Sequence, residues 1–238
     1  MSNRIKHILL LVLALSFGSL VTAQETQNVN WEAQKIKGVR PLPDAVYNGS
    51  PFLNDSWLPG KIEFADGEIA DSIYMKYSSF KDELIYFNKT ISAQIMIDKA
   101  SLNGFSFADK NNKMRVFRKQ HFDGFMKGDR YFEVLADGET DLLAYRKVNM
   151  NGVAPYHDVN GILKNMEYST DYQFYFYTPE KGYNSVRLNR SAFLAKFVKT
   201  DQKPIKKLLR KNKIFILDED SFIDAWKTIE KEGFKVVF

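Results

Sequence analysis

The sequence contains no cysteine and only three histidines among its 238 residues. The lack of cysteine excludes disulfides and removes the thiolates on which many structural zinc sites depend. His121 and His157 are far apart in sequence, and neither belongs to a set of four ligands with metal-site spacing. We therefore predict no metal and no cofactor. Stability must come from a packed core, and a chain of this length can bury about 70% of its unfolded surface.

Long apolar runs are also missing after residue 21, so the rest of the chain has no segment of the length that a membrane helix needs. The beginning of the chain is typical of a secretory signal peptide. Arg4 and Lys6 precede the apolar residues 8–21, and small residues ending at Ala23 form a cleavage site. We expect export with removal of residues 1–23, and a retained N-terminal anchor is the alternative. Because no cysteine follows Ala23, lipid attachment to an N-terminal cysteine is excluded.

A strong excess of one charge is absent from the chain as a whole. The formal charge is +5, and removal of residues 1–23 takes away Arg4 and Lys6 and no acid, which leaves +3. Such a weak balance does not indicate a nucleic-acid partner. The sequence also has no Walker loop and no glycine-rich dinucleotide motif, so nothing supports nucleotide binding.

Short stretches of alternating apolar and polar residues make up most of the middle of the chain. Residues 58–64 and 69–77 flank Asp66-Gly67, a pair typical of tight hairpin turns, and a second Asp-Gly pair stands at 137–138. About ten strands at this spacing predict a mainly β fold, built as a twisted antiparallel sheet, a sandwich or an incomplete barrel. Residues 149–169 contain Gly, Pro and Asn, and we expect a long loop there.

The apolar period becomes helical after Arg190, which predicts C-terminal helices packed on the sheet. We expect one helix to begin at Pro204 and another to be capped by Asp218, followed by a last edge strand at 234–238. The predicted organisation is a signal peptide (1–23), an extended leader (24–50), an antiparallel β domain (51–190) and a helical appendage of that domain (191–238).

The order of several motifs resembles a group of exported, largely uncharacterised Bacteroidota proteins. The motifs are G-x-P-F-L-N, W-L-P-G-K-I, D-G, M-K-Y, D-E-L, then Y-F-E-V-L, and later K-K-L-L-R-K-N-K before a closing helix, over residues 49–229. These motifs are turn and strand positions, so the resemblance implies a fold and contributes no catalytic residues. It also implies the envelope of a Gram-negative bacterium, either the periplasm or the cell surface.

The aromatic run at 172–177 is the most informative candidate for binding. Tyr172 shares one strand face with two phenylalanines, whereas Tyr175 and Tyr177 share the other, so both faces of this strand must be covered. Burial in a core is one interpretation. A cavity lined by tyrosines is the other, since their rings are apolar and their hydroxyls orient a ligand. The candidate ligand-binding residues are Tyr172, Tyr175, Tyr177 and Tyr131.

A basic helix is predicted near the C-terminus. Ile205, Leu208 and Leu209 fall on one face of residues 204–211, and the opposite face carries Lys206, Lys207, Arg210 and Lys211. The basic face could make weak contact with an anionic membrane surface, or it could simply be solvated while the apolar stripe packs on the sheet.

No catalytic residue is predicted, because adjacent acids such as Asp82 and Glu83 fit a turn and do not face each other across a cleft. The favoured function is a non-catalytic binding or scaffolding module of the cell envelope, with a protein surface, a glycan or an apolar small molecule as ligand. The alternatives are a hydrolase whose acids the fold brings together and a small outer-membrane barrel. Two facing carboxylates in a cleft, one with a raised pKa, would favour the hydrolase.

Overall fold

The computed structural model describes residues 35–124 and 127–238, so the predicted signal peptide lies outside the described residues. The strands are β1 (Gly38–Val39), β2 (Leu58–Phe64), β3 (Ile69–Ser78), β4 (Glu83–Asn88), β5 (Ala93–Ile97), β6 (Leu102–Ala108), β7 (Met114–Phe122), β8 (Gly128–Ala136), β9 (Asp141–His157), β10 (Leu163–Thr178) and β11 (Gly182–Val186). The helices are α1 (Arg190–Leu194), α2 (Lys199–Lys211) and α3 (Glu219–Lys231), and a short 3₁₀ turn covers Lys99–Ser101.

All of these strands join one antiparallel sheet in the order β1-β5-β4-β3-β2-β6-β7-β8-β9-β10-β11. The sheet does not close on itself, and the three helices follow it in the chain. The predicted mainly β class with C-terminal helices is therefore confirmed, as a single open sheet. The Asp66-Gly67 turn is also confirmed, since Gly67 takes the left-handed conformation (φ 85°) that favours glycine.

Between β3 and β8 the sheet curls toward one face. The Tyr77 ring on β3 lies 5.3 Å from Phe105 on β6, 5.2 Å from Phe117 on β7 and 6.1 Å from Tyr131 on β8, measured between centroids. Strands β2, β6 and β7 separate β3 from β8 in the sheet, so a flat sheet would hold the first and last of these rings far apart. The four rings form the core of this half.

Between β7 and β11 the sheet curls toward the opposite face. Tyr183 on β11 donates its hydroxyl to the Gln120 side chain (3.0 Å) and to the His121 carbonyl (2.9 Å), both on β7. The Phe122 and Tyr183 rings are 5.0 Å apart and pack around Phe132. Since side chains alternate along β7, Gln120 and Phe122 lie on the face opposite to Phe117. The sheet is thus S-shaped, with an aromatic core in each bend.

The helices cover the outer side of the second bend. Phe176 on β10 packs against Trp226 on α3 with ring centroids 4.7 Å apart, and Phe174 packs against Phe222 at 5.7 Å. Asp218 caps α3 as expected, because its carboxylate accepts the Ser221 N–H at 2.9 Å. This packing joins the predicted helical appendage to the β domain in one core.

Two expectations about the C-terminal region are wrong. Helix α2 begins at Lys199, five residues before Pro204, and continues through the proline although its ring removes one backbone hydrogen bond. Residues 234–238 do not form a strand. Val236 is buried in the helix–sheet core, and Val237 is held by its N–H to the Lys196 carbonyl at 2.8 Å, so the segment is fixed without joining the ladder.

The expected loop at 149–169 is also wrong. Strands β9 and β10, of 17 and 16 residues, form a long hairpin through this region. The chain turns at Asp158, whose carboxylate accepts the N–H groups of Asn160 and Ile162 at 2.9 Å. The outer part of the hairpin is largely exposed, so the alternation that marks a half-buried strand is missing from its sequence.

From Ile36 the predicted leader belongs to the same compact unit as the sheet, which extends to Phe238. Ile36 is buried, and β1 pairs with β5. Further along, Asn48 bridges Glu167 on β10 and Phe52 bridges Ser78 at the end of β3. The leader is therefore part of the fold over the residues that the structure describes.

Strands β8 and β9 pair from Glu133 onward and diverge on the Tyr131 side. The corner between β3 and β4, residues 78–82, fills the gap between them. The Val148 N–H on β9 bonds to the Ser79 carbonyl at 3.2 Å, and the Tyr131 N–H on β8 bonds to the Asp82 carboxylate at 3.3 Å. The corner thus supplies the acceptors that the diverging strands no longer give each other.

Asp82 is the central group of this corner and is only 4% exposed. Its carboxylate also accepts the Tyr77 hydroxyl and the Lys99 ammonium, both at 2.6 Å. Burial raises the pKa of Asp82, although the charge of Lys99 opposes the shift. The pKa of Tyr77 is raised as well, first by burial and then by the negative charge of Asp82.

We predict that Asp82→Ala lowers the free energy of unfolding by about 3 kcal/mol, because it leaves the Tyr77 hydroxyl and the Tyr131 N–H buried without acceptors. Asp82→Asn keeps a carbonyl oxygen and should cost less.

The stability contributed by Asp82 should depend on pH. In the native protein the Asp82 carboxyl keeps its proton to higher pH than in the unfolded chain, where its pKa is near 3.8. The stability of the wild type relative to Asp82→Asn should therefore fall as pH rises through the native pKa. Urea titrations at several pH values measure this difference, and a rise with pH would contradict a raised pKa.

Candidate anion-binding surface

The segment from Arg187 to Lys213 carries a strong local excess of positive charge. It contains ten lysine and arginine residues and one acid, Asp201, so its formal charge is +9. The whole chain carries +5, which leaves −4 on all other residues. The small net charge of the protein is therefore the sum of a strongly positive segment and a negative remainder.

We call these ten side chains the basic surface. Eight are exposed and two, Arg190 and Lys196, are half-buried. None of the ten forms an ion pair with any residue in the described part of the chain, whereas ten lysines and arginines elsewhere do, Lys81, Arg115 and Arg146 among them. The members are Arg187, Arg190, Lys196, Lys199, Lys203, Lys206, Lys207, Arg210, Lys211 and Lys213.

Helix α2 positions the centre of this surface. Ile205 and Leu209 are 0% and 1% exposed in the helix–sheet core, which turns Lys206 and Arg210 to solvent. The predicted division of this helix into an apolar and a basic face is confirmed. Contact of the basic face with an anionic membrane stays a prediction.

A cleft of about 510 Å³ lies between α1 and α2 within the basic surface. Arg190, Lys206 and Arg210 line it together with Ser191 and Gln202, so three cations and two neutral polar groups surround one opening. Guanidinium and ammonium groups that line one cleft suit the oxygens of a phosphate or carboxylate.

Large apolar side chains are exposed at both ends of α2. Val198, immediately before the helix, is 47% exposed, and Phe215 and Leu217, shortly after it, are 57% and 83% exposed. Ile216 between the last two is buried in the helix–sheet core, so the alternating backbone directs Phe215 and Leu217 away from that core. The basic surface is therefore flanked by exposed hydrophobic groups.

The four candidate tyrosines do not line one cavity. Tyr131 is 1% exposed and belongs to the aromatic core of the first bend, with its ring 5.0 Å from Phe105. Tyr175 and Tyr177 lie in the second bend, where both contact Tyr183. The face pattern predicted for the aromatic strand is correct, and three of these tyrosines pack in the two cores.

Tyr172 has a different environment. It is 38% exposed, and the Arg146 guanidinium lies 4.8 Å from the centre of its ring. Tyr172 and Tyr175 both line a cleft of about 680 Å³ beside β10, the end of β11 and α1. Arg187 and Lys196 of the basic surface line the same cleft. The structure thus brings two of the four candidates next to the basic surface.

A buried charge network holds α3 against the sheet. Arg146 is 1% exposed and donates to the Glu133 carboxylate and to both oxygens of Glu219 in the first turn of α3, at 2.6 and 2.8 Å. Arg115 makes a second bidentate contact with Glu133. Burial by itself would raise the pKa of Glu133. The hydrogen bonds and charges of Arg115 and Arg146 outweigh burial, so the pKa of Glu133 is lowered. Hydrogen bonds and charge from the two glutamates likewise raise the pKa of Arg146 against burial.

Carboxylates with raised pKa values also occur away from the basic surface. Burial raises the pKa of Glu230, which lines a cleft of about 360 Å³ with Glu139 and Glu180. Glu230 already accepts the Thr140 N–H at 3.4 Å and thus closes the loop between β8 and β9. No group of three or more His, Asp or Glu residues in the described part of the chain is arranged to hold a metal ion.

Sequence reasoning assigned four of the ten to the basic face of α2 and did not assign the other six. Lys199 and Lys203 were left out because the helix was expected to begin at Pro204, and Lys213 follows the helix. Arg187, Arg190 and Lys196 precede α2 and share no helical period with it, so a helical pattern could not group them. The net charge of a window of 27 residues, Arg187 to Lys213, would have found the surface.

Comparisons with protein-family models, with curated proteins and with solved structures found no match for this chain. In the described part of the chain, none of the helices has the length and hydrophobicity to cross a lipid bilayer.

We predict that Glu133→Ala lowers the free energy of unfolding by about 3–5 kcal/mol, because it leaves the buried Arg146 guanidinium and the half-buried Arg115 guanidinium without their shared partner. Glu219→Ala should cost less, since the Glu219 side chain is 26% exposed and water can replace it beside Arg146. The folded-state pKa of Glu133 is lowered, so its contribution is present at neutral pH and is lost as pH falls through that pKa. Guanidinium unfolding of both variants tests the order, and equal costs would contradict it.

Proposed function

We propose that the protein is a non-catalytic binding module that docks on an anionic phospholipid membrane through the basic surface. The observation that carries this proposal is the set of ten cations without ion-pair partners in the described residues. Cations crowded on one surface repel one another, and an anionic partner relieves that repulsion. The export predicted from the N-terminal sequence supports an envelope membrane as the place of docking.

The electrostatic contribution is large enough for reversible docking. Each lysine or arginine near an anionic membrane surface contributes roughly 1 kcal/mol, and the contribution falls within about one Debye length. A few of the ten cations in contact therefore suffice for weak binding, which salt should reverse. The cleft of Arg190, Lys206 and Arg210 gives a headgroup phosphate a place between three cations.

The exposed side chains at the ends of α2 favour a membrane over a soluble polyanion. Phe215 and Leu217 are exposed beside lysines, and such a combination suits the boundary between headgroups and acyl chains. A soluble polyanion would need the cations alone.

The hydrolase alternative is not favoured by the raised pKa of Glu230, because this carboxylate has a structural role. It receives a backbone N–H of the β8–β9 loop, and Asp141 nearby accepts the Gly138 N–H at 3.2 Å. Burial raises the pKa of both acids, as expected for carboxylates that close a loop beside a helix.

We predict that the exported protein sediments with vesicles of phosphatidylcholine and phosphatidylglycerol and not with vesicles of phosphatidylcholine alone. Binding should weaken as salt shortens the Debye length from about 30 Å to about 8 Å. The double substitution Lys206→Glu and Arg210→Glu should reduce the affinity at least about tenfold. Phe215→Ser with Leu217→Ser should also reduce the affinity while leaving the salt dependence unchanged, since it removes no charge.

The matched control is Lys37→Glu with Lys110→Glu. It changes the net charge of the protein by the same amount at two exposed lysines outside the basic surface. Equal losses in the two charge-reversed proteins would mean that net charge alone drives binding. Tight binding of inorganic polyphosphate without binding to the anionic vesicles would replace the membrane with a soluble polyanion.

A further inference from the structure

Strand β10 has an open edge between two covered parts. On the side away from β9, it pairs with β11 only from Phe174 to Thr178. Before that, the leader covers it through the bridge from Asn48 to Glu167. Residues 169–173 lie between these partners, and among the described residues no strand pairs with them on this side.

The backbone groups of Thr170 and Tyr172 point toward this open edge. The Tyr168 N–H bonds to the Asn48 carbonyl at 2.8 Å on that side, and every second residue of a strand faces the same way. Thr170 pairs with Val148, whose N–H bonds to Ser79 on the far side of β9. The pair is thus of the type that exchanges no hydrogen bonds, which leaves the N–H and C=O of Thr170 directed outward.

The cleft of about 680 Å³ lies along this edge. Residues 171–174 form one wall and the end of β11 forms another. The small side chains of Ala192 on α1 and Ala195 just after α1 leave space opposite. The Thr170 and Tyr172 side chains are exposed. The opening has room for an extended segment beside β10.

The charge around the opening selects the kind of segment. Arg187 is exposed without an ion-pair partner in the described residues, and Lys196 bonds only to the neutral Asn184 side chain, at 2.6 Å. The one acid of the cleft, Asp171, pairs with Lys147 outside the cleft at 3.9 Å and accepts hydrogen bonds from Asn149 and Gln173. The cations of the walls therefore exceed the acids, and neither Arg187 nor Lys196 has an ion-pair partner in the described residues.

We propose that this edge binds an extended acidic peptide of a partner protein as an added β-strand. The backbone of the peptide continues the sheet beside Thr170 and Tyr172, and its acidic side chains reach Arg187 and Lys196. Main-chain hydrogen bonds supply affinity in this mode of recognition, and the side chains on either face supply specificity. The site shares Arg187 and Lys196 with the basic surface, but Lys206 and Arg210 of the α2 face lie outside it. Pairing with the backbone of β10 is a contact that lipid docking does not use, so it can be tested apart from the proposed function.

The probe is a capped peptide of about six residues that alternates glutamate and valine. Binding to the exported protein is followed by calorimetry. Two further versions carry N-methyl groups on alternate residues, one on the odd set and one on the even set. Only one set of N–H groups can face the protein, so one version should lose about tenfold or more in affinity and the other should keep it. The same peptide with lysine in place of glutamate should not bind.

Thr170→Pro tests the protein side of the edge. It removes an N–H that the ladder with β9 does not use, so the fold should persist while the affinity for the peptide falls about tenfold. Thr170→Ala keeps the N–H and should bind like the wild type. If Thr170→Pro fails to fold, the two N-methylated peptides still decide the question.

Equal binding of both N-methylated peptides would overturn the proposal, because charge alone would then explain the contact. A second result would also overturn the proposal. If Lys206→Glu with Arg210→Glu lost peptide binding while Thr170→Pro kept it, the peptide would bind to the α2 face and not to the β10 edge.

Discussion

The buried Asp82 carboxylate is the constraint on which the rest of the sheet depends. The sheet curls toward one face from β3 to β8 and toward the other from β7 to β11, and β8 and β9 separate beside Tyr131, where the two bends adjoin. The corner at 78–82 holds that separation open, because Asp82 satisfies Tyr131 and Ser79 satisfies Val148. The sheet can then curl in opposite directions on the two sides of the gap. A neutral or apolar residue could fill the same space, but it could not accept hydrogen bonds from a strand backbone, a tyrosine and a lysine together.

The S-shape in turn decides where the helices and the charges lie. The second bend encloses its own aromatic core on one face, which leaves the other face of β8–β11 for α1, α2 and α3. Arg146 holds α3 on that face, because it pairs with Glu219 on α3 and with Glu133 on β8. Arg115 also pairs with Glu133, so two arginines and two glutamates balance each other in this network. The ten cations of the basic surface lie on α2, beside α1 and just after α2, and none of them has an ion-pair partner among the described residues.

Local patterns predicted the elements that are half-buried. Residues 58–64 alternate between core and solvent, and their strand was predicted with its full length. The outer part of the β9–β10 hairpin has two exposed faces, so its residues carry no alternation and were taken for a loop. Asp82 was assigned to a turn, which is correct locally. Its contacts with Tyr131 and Lys99 join residues 17 and 49 positions away, and no local pattern contains that information. The same limit applies to the candidate site. Tyr172 and Arg187 line one cleft only because β10 and β11 are neighbours in the sheet.

The two proposed contacts share helix α1, and its short length explains how they can be adjacent and still distinct. Arg190, Ser191 and Leu194 of α1 face the cleft toward α2, whereas Ala192 faces the cleft beside β10 and Ala195 lines both. A helix of five residues has one face toward each cleft, so the two clefts are separated only by the width of this helix. An occupant of one cleft therefore lies within a helix diameter of the other, about 10 Å, where charges still interact through water at low salt. An acidic peptide beside β10 would neutralise Arg187 and Lys196 and lower the positive potential of the basic surface, so binding of the peptide should weaken binding to the anionic membrane and the reverse.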